Sequence, residues 1–191
     1  MHIDDQGWVH GVGRRAPSPH FDSRPTLATV DLVVVHNISL PPGQFGGPEI
    51  EALFCGTLDC AQHPALADLR DVRVSAHFLI RRDGELVQFV SVLDRAWHAG
   101  ASEFLGRSRC NDFSVGIEME GCDDRPFEAP QYDMLGRVCG ALRHHNPRLA
   151  WIAGHSEIAP ERKTDPGPCF DWGRALAAIG SNGPVLGRPF R

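Results

Sequence analysis

Three residues of this chain have the side chains and the positions of a metal-binding site. His36 ends a predicted apolar strand, His155 follows the apolar stretch 151–154, and Asp165 lies on the Pro- and Gly-rich loop beyond it. Two imidazoles and one carboxylate form a ligand set that holds Zn²⁺ and leaves a fourth position for water, as in catalytic zinc sites. The chain has ten histidines, so spacing alone leaves open that each is an ordinary hydrogen-bonded structural residue.

Lys163 is the only lysine in a chain whose other 18 basic residues are arginines. It precedes Asp165 by two residues, and side chains at i and i+2 leave the same face of an extended backbone. A compact ammonium there would lie near the open position of a bound metal. It would donate to the oxyanion that forms when water attacks a carbonyl, a contribution of about 10²–10³ in rate. The alternative is that one lysine has survived by chance in an arginine-rich composition.

Hydrolysis assisted by a metal also needs a proton acceptor, and the alternating stretch 115–120 offers two carboxylates. Glu118 and Glu120 point to the same face of this predicted strand. We expect Glu118 to be the base, because it lies deeper among apolar residues, where desolvation raises a carboxyl pKa toward the working range. For Glu120, a solvent-facing position on a surface strand is an equally good interpretation.

The composition is that of one globular domain. The 191 residues are 42% hydrophobic and 23% charged, and we predict a single domain over 1–191, with a core of about 7–179 and a loose tail over 180–191. A net charge of −5 argues against a nucleic-acid partner. The clear apolar runs are too short for a membrane span, and the first residues lack the features of an export signal. We therefore expect a cytoplasmic protein with no membrane partner.

The six cysteines form no Cys-x-x-Cys pair, which argues against a structural zinc ribbon. In a reducing compartment they are most simply small buried residues or tolerated thiols. Cys169 lies four residues beyond Asp165. It is therefore the thiol that could compete for a metal.

Hydrophobic periodicity and turn residues predict an α/β fold with a mixed central sheet flanked by helices. The Asp-Gly pair at 83–84 indicates a hairpin turn, and the first 29 residues and the segment from the first helix to Leu69 are expected to be mostly irregular. Predicted strands cover residues 30–36, 75–80, 85–90, 115–120 and 149–153. Predicted helices cover residues 49–54, 130–145 and 171–179.

Five longer motifs carry a resemblance to a known family. They are His36-Asn37 with residues 39–48, Arg73 to Gly84, Arg95-Ala-Trp-His-Ala-Gly100, Cys110 to Glu118, and Gly154 to Trp172. The sequence resembles, over about 7–172, the zinc amidase family that includes cytoplasmic 1,6-anhydro-N-acetylmuramyl-L-alanine amidases, amidase-type phage lysozymes and peptidoglycan recognition proteins. The resemblance implies a mixed sheet flanked by helices and a zinc site that faces a peptidoglycan groove.

The resemblance also implies roles for individual residues. One zinc ion per chain would be held by His36, His155 and Asp165, and Glu118 and Lys163 would be catalytic. These are the five residues that side-chain chemistry also indicates.

The reaction implied by the resemblance is hydrolysis of the amide between 1,6-anhydro-N-acetylmuramic acid and L-alanine of the stem peptide, so the implied partner is a small molecule, an anhydro-muropeptide. Candidate substrate-binding residues are Asn37, Arg73, Trp97 and Arg109. His77 and His98 are expected to be structural or to line the substrate groove. Two alternatives stay open: an amidase of broader substrate range, and a non-catalytic muropeptide-binding module.

Overall fold

A computed structural model describes residues 1–183 and 186–189 of the chain. Within them, the strands are β1 (His2–Ile3), β2 (Val9–His10), β3 (Arg14–Arg15), β4 (Phe21–Asp22), β5 (Leu32–Ile38), β6 (Phe78–Ile80), β7 (Leu86–Gln88), β8 (Arg95–Ala96), β9 (Glu103–Phe104), β10 (Arg107–Ser108), β11 (Ser114–Glu120) and β12 (Trp151–Gly154). The α-helices are α1 (Glu49–Phe54), α2 (Ala129–His145), α3 (His155–Ile158) and α4 (Trp172–Gly180), and short 3₁₀ helices cover Pro64–Leu69 and Cys110–Asp112.

The main sheet has six strands in the order β12-β5-β11-β6-β7-β3. Strands β12, β5, β11 and β6 are parallel, β7 is antiparallel to β6, and β3 runs parallel to β7. The prediction of a mixed sheet flanked by helices is therefore confirmed. Among the described helices, none has the length and apolar character needed to cross a bilayer.

The two central strands place different residues on the two faces of the sheet. Val33 and Val35 of β5 belong to the core that contains the apolar face of α2, and so does Ile117 of β11. Successive side chains of a strand point to opposite faces. His36 and Glu118 therefore point away from α2, toward the face covered by α1 and by loops.

Most predicted elements exist, with ends displaced by one to three residues. β5 begins at Leu32 and continues to Ile38 rather than covering 30–36, because its ladder with β11 extends to the pair Ile38–Glu120. The predicted hairpin is present, with shorter strands, and Gly84 has a φ of +88° at its turn. The predicted strand 149–153 is β12, displaced toward the carboxyl end.

Three expectations of irregular structure were wrong in part. The first 29 residues contain four two-residue strands, and β3 extends the main sheet. The loop before Leu69 contains a 3₁₀ helix, whose first turn is capped by the His63 side chain. The tail 180–191 was expected to be loose, but Leu186 is buried and Gly187 forms a β-bridge with Trp151. Residues 184, 185, 190 and 191 of this tail lie outside the described part of the chain.

Candidate active site

Among the described residues, His36, His155 and Asp165 form a group arranged as a metal site requires. The Nδ1 atoms of the two histidines lie 2.9 Å apart. Each is 3.0 Å from Oδ2 of Asp165. His36 comes from β5 and His155 from the first residue after β12, the neighbouring parallel strand. Because parallel strands end at the same edge of a sheet, residues 119 positions apart are brought together there.

The charge states of this group fit a divalent cation. Burial lowers the pKa of His36 to about 4, so its imidazole is neutral at pH 7, the form that binds metal. Burial acts to raise the pKa of Asp165, but its contacts with His155 and His36 hold that pKa well below the usual range. Two imidazole nitrogens and one carboxylate oxygen, about 3 Å apart, match a metal that binds such atoms at about 2.0–2.2 Å. Zinc is one of the metals that binds such a donor set.

The loop that carries Asp165 is fixed to the ends of the central strands. The Asp165 carbonyl accepts a hydrogen bond from the backbone N–H of Ser156. The Asn37 amide donates to the Pro166 carbonyl at 3.0 Å and to Oδ1 of Asp123 at 2.7 Å. Both N–H groups of the Asn37 side chain are thus used within the protein. Asn37 holds the ligand loop in place in addition to lining the cleft.

Glu118 lies on β11 directly beside this group. It is buried, and within the described residues its Oε2 has no hydrogen-bond partner. Burial first, and the nearby Asp165 carboxylate second, raise the pKa of Glu118 well above its usual range, whereas Lys163 lowers it. A buried carboxylate with one unsatisfied oxygen costs free energy in the absence of a partner. Such a group is suited to taking a proton from a bound molecule.

Glu120 has a different role, although it is only two residues along the strand. It is 1% exposed, so the solvent-facing interpretation was wrong. Its carboxylate accepts hydrogen bonds from the Arg81 guanidinium at 3.0 Å and from the backbone N–H groups of Gly46 and Arg82. These contacts satisfy the buried charge. Glu120 therefore serves as a structural anion, and Glu118 is the carboxylate that faces the cleft.

Lys163 lies on the loop between α3 and Asp165, and its backbone N–H donates to the Ala159 carbonyl. Its side chain lines a cavity of about 280 Å³ together with the metal group and Glu118. An adjoining cavity of about 730 Å³ shares Asn37, Lys163 and Asp165 with the first. The two cavities adjoin at these three residues and together form the cleft. The structure thus brings together all five residues for which sequence analysis predicted catalytic or metal-binding roles.

Of the other three candidate substrate-binding residues, one lines the cleft and two lie outside it. Trp97 lines the smaller cavity, stacks one face on the His20 ring at 6.1 Å, and has a buried Nε1 with no acceptor among the described residues. Arg73 and Arg109 are exposed, and neither is among the described residues that line the two cavities. Arg73 donates to the carbonyl of Arg70, and Arg109 pairs with Asp112.

One contact of the metal group was not anticipated. Nε2 of His36 lies 2.9 Å from Nδ1 of His98. One sequence signal pointed to it: Gly116 interrupts a strand of larger residues, and a strand glycine marks a close approach. A Cβ on Gly116 would lie 2.4 Å from the His98 ring. His77 is structural, since its Nδ1 accepts from the Gly116 N–H at 3.0 Å.

Comparisons with known proteins found similar sequences and structures. The N-acetylmuramoyl-L-alanine amidase family matches residues 26–168. The 1,6-anhydro-N-acetylmuramyl-L-alanine amidase AmpD of Escherichia coli (strain K12) is 58% identical over 171 residues, covering 89% of this chain and 93% of that protein. A crystal structure of a selenomethionine AmpD derivative has a TM-score of 0.90 at 56% identity and covers 93% of this chain and 99% of that one.

A more distant structure contains a ligand. It is the complex of the N-acetylmuramyl-L-alanine amidase AmiD of Escherichia coli with the substrate anhydro-N-acetylmuramic acid-L-Ala-D-gamma-Glu-L-Lys. It has a TM-score of 0.58 at 26% identity and covers 82% of this chain and 60% of that one.

Proposed function

The chain belongs to the N-acetylmuramoyl-L-alanine amidase family, and from that premise we propose a specific reaction and a zinc site for it. The protein hydrolyses the amide between 1,6-anhydro-N-acetylmuramic acid and the L-alanine of a stem peptide. One zinc ion is held by His36, His155 and Asp165. Relatives named for this reaction, at 47% and 58% identity over most of the chain, support the substrate.

One observation carries the catalytic part of the proposal. Three metal-ligand atoms converge within about 3 Å of one another, beside a buried Glu118 oxygen that has no partner among the described residues. A module that only bound muropeptides would gain nothing from this unsatisfied carboxylate, which costs stability. The combination is typical of a hydrolase.

The residues of the chain divide the chemistry among them. Zinc at this triad would polarise the amide carbonyl, lower the pKa of water toward about 7, and favour the charged form of Glu118. Glu118 accepts the proton of the attacking water and passes it to the leaving amine of L-alanine. Lys163, which lines both cavities, donates to the oxyanion that develops on the carbonyl.

The cleft also offers a place for the sugar. Trp97 borders the smaller cavity with apolar side chains of α1 and of residues 69–74. An aromatic ring presents a flat apolar surface, which suits a compact bicyclic sugar. The larger cavity extends past Asn37 and Lys163 and is more polar, with charged residues of both signs. We assign the sugar to the first cavity and the stem peptide to the second.

The setting that we propose is the cytoplasm, where the enzyme would act on wall fragments during peptidoglycan recycling. All six cysteines are free, which is typical of a protein in a reducing compartment.

The proposal is tested by incubating the pure protein with an anhydro-muropeptide and weighing the products. We expect free stem peptide and free anhydro-sugar, loss of the reaction with a chelator, and recovery when zinc is restored. Binding without cleavage would favour a muropeptide-binding module. Cleavage that survives full removal of metal would contradict the zinc site. Equal cleavage of reducing-end muropeptides would favour an amidase of broader range.

A further inference from the structure

We propose that the dipeptide His98-Ala99 is a positioning element that holds both metal-binding imidazoles in the tautomer that binds metal. His98 acts on His36 through its side chain, and Ala99 acts on His155 through its carbonyl. The inference rests on the metal site proposed above. It assigns a role to residues that contact the ligands and lie outside the triad.

The tautomer of His98 follows from the Cys110 carbonyl, which can only accept a hydrogen bond. Ser114 Oγ lies 2.6 Å from the Cys110 carbonyl, so the hydroxyl donates there. Ser114 Oγ is then left to accept from Nε2 of His98, 3.3 Å away. With its proton on Nε2, neutral His98 has an acceptor at Nδ1.

The same logic continues to the metal ligand. Nδ1 of His98 accepts from Nε2 of His36 at 2.9 Å. His36 then carries its proton on Nε2, and its Nδ1 lone pair points toward His155 and Asp165. Without a directing partner, a neutral imidazole divides between two tautomers, and one of them presents an N–H to the metal. His98 removes that choice.

The other ligand histidine is fixed by the next residue of the same segment. Nε2 of His155 lies 3.0 Å from the Ala99 carbonyl, which only accepts. His155 therefore carries its proton on Nε2 and presents the Nδ1 lone pair to the metal position. The same carbonyl accepts from the Arg162 guanidinium at 2.7 Å. Two adjacent residues thus contact the remote nitrogens of both imidazoles.

The dipeptide is itself held in place from two sides. Oδ1 of Asn111 accepts from the backbone N–H of His98 at 3.2 Å and from that of Ala99 at 2.8 Å. On the other side, the absence of a side chain at Gly116 leaves room for the His98 ring, which a Cβ would approach within 2.4 Å. A contact this constrained is suited to setting the orientation of a ligand, since outer partners of metal-bound histidines fix both tautomer and ring position.

The test compares two substitutions of His98, one to an apolar side chain and one to a side chain that can accept a hydrogen bond. His98→Leu fills similar space without an acceptor, whereas His98→Asn keeps an oxygen near the position of Nδ1. Zinc affinity is measured by competition with a chelator of known affinity. We expect about 10–100-fold weaker binding for the Leu variant and recovery of most of that loss in the Asn variant. His77→Asn is the matched control, because His77 is a buried histidine that contacts Gly116 rather than a metal ligand.

A second measurement reads the tautomer directly. Ring-nitrogen NMR of the zinc-loaded wild-type protein should show His98 protonated on Nε2 and unprotonated on Nδ1. The opposite tautomer would overturn the inference, as would equal zinc affinity of wild type and His98→Leu, or an equal loss in His77→Asn. If wild-type protein binds no zinc, the proposed metal site itself fails. Zinc binding that is unchanged by His98→Leu removes only this inference.

Discussion

Glu118 is the direct register partner of His36 in the parallel ladder between β11 and β5. The proposed base and a proposed metal ligand are therefore held by backbone hydrogen bonds at the centre of the sheet. Loops supply Asp165 and Lys163, which complete the site. A site built on adjacent strands keeps its geometry better than one built on loops alone. Substitutions of Glu118 and His36 should consequently alter proton transfer and metal binding, respectively, with little change in the fold.

The first prediction concerns the metal. Purified protein should contain close to one equivalent of zinc, and His155→Ala should lose both metal and activity, because a three-residue site cannot spare an imidazole. Elemental analysis of the dialysed proteins measures this. Cys169→Ser is the control, and its zinc content should match wild type. Loss of zinc from the Cys169 variant would show that the third ligand is misassigned.

The second prediction concerns Glu118. Glu118→Gln keeps the shape of the side chain and removes its basicity, so kcat should fall by about 10²–10⁴ while zinc content stays unchanged. Steady-state kinetics on zinc-loaded protein measures the fall. Wild-type kcat in this variant would rule out Glu118 as the base.

The same variant has a distinct stability signature in the metal-free protein. The pKa of Glu118 is raised in the folded state by burial and by Asp165. Stability associated with a raised carboxyl pKa is present below the unfolded value of about 4.3 and is lost as the pH rises through the folded pKa. Metal-free Glu118→Gln should therefore melt above wild type at pH 7, with the difference vanishing near pH 4. Each 1 kcal/mol of difference in the free energy of unfolding corresponds to a shift of about 2–4 °C in the melting temperature of a protein of this size.

The third prediction concerns Lys163. Lys163→Arg keeps the positive charge but replaces a compact donor with a planar fork. We expect kcat to fall by up to about 10²–10³, the contribution of one oxyanion donor, with zinc content and melting temperature close to wild type. If lysine survives here by chance, the arginine variant will turn over normally.

Local patterns were sufficient for the central part of this site. The alternation of β11 predicted that Glu118 and Glu120 share a face, because a strand has a fixed period of two. The contact between His36 and His98 joins residues 62 positions apart, through loops whose paths no local period encodes. The two-residue strands and the bridge between Gly187 and Trp151 depend likewise on partners elsewhere in the chain. Leu186, for example, packs into the core that also contains residues of α2 and β12.

The last prediction concerns substrate choice. A cleft shaped for the anhydro bicycle should disfavour a reducing-end muramyl ring. In the cytoplasmic setting proposed above, the enzyme would need that discrimination to spare muramyl-containing wall precursors. We expect kcat/KM for an anhydro-muropeptide to exceed that for the same peptide on N-acetylmuramic acid by at least about tenfold, the scale of a 1–3 kcal/mol pocket preference. Parallel assays of the two substrates measure the ratio.

Trp97 is the residue through which this preference should act. One of its faces stacks on His20, and the ring lines the wall of the smaller cavity. Trp97→Leu keeps an apolar side chain but removes the flat surface, and it should lower kcat/KM more for the anhydro substrate than for the reducing one. The control is Trp151→Leu, because Trp151 packs against Phe104 away from the cleft. In this variant the ratio of kcat/KM for the anhydro substrate to kcat/KM for the reducing one should stay at the wild-type value. Comparable kcat/KM for both substrates in wild-type protein would leave only a general N-acetylmuramoyl-L-alanine amidase.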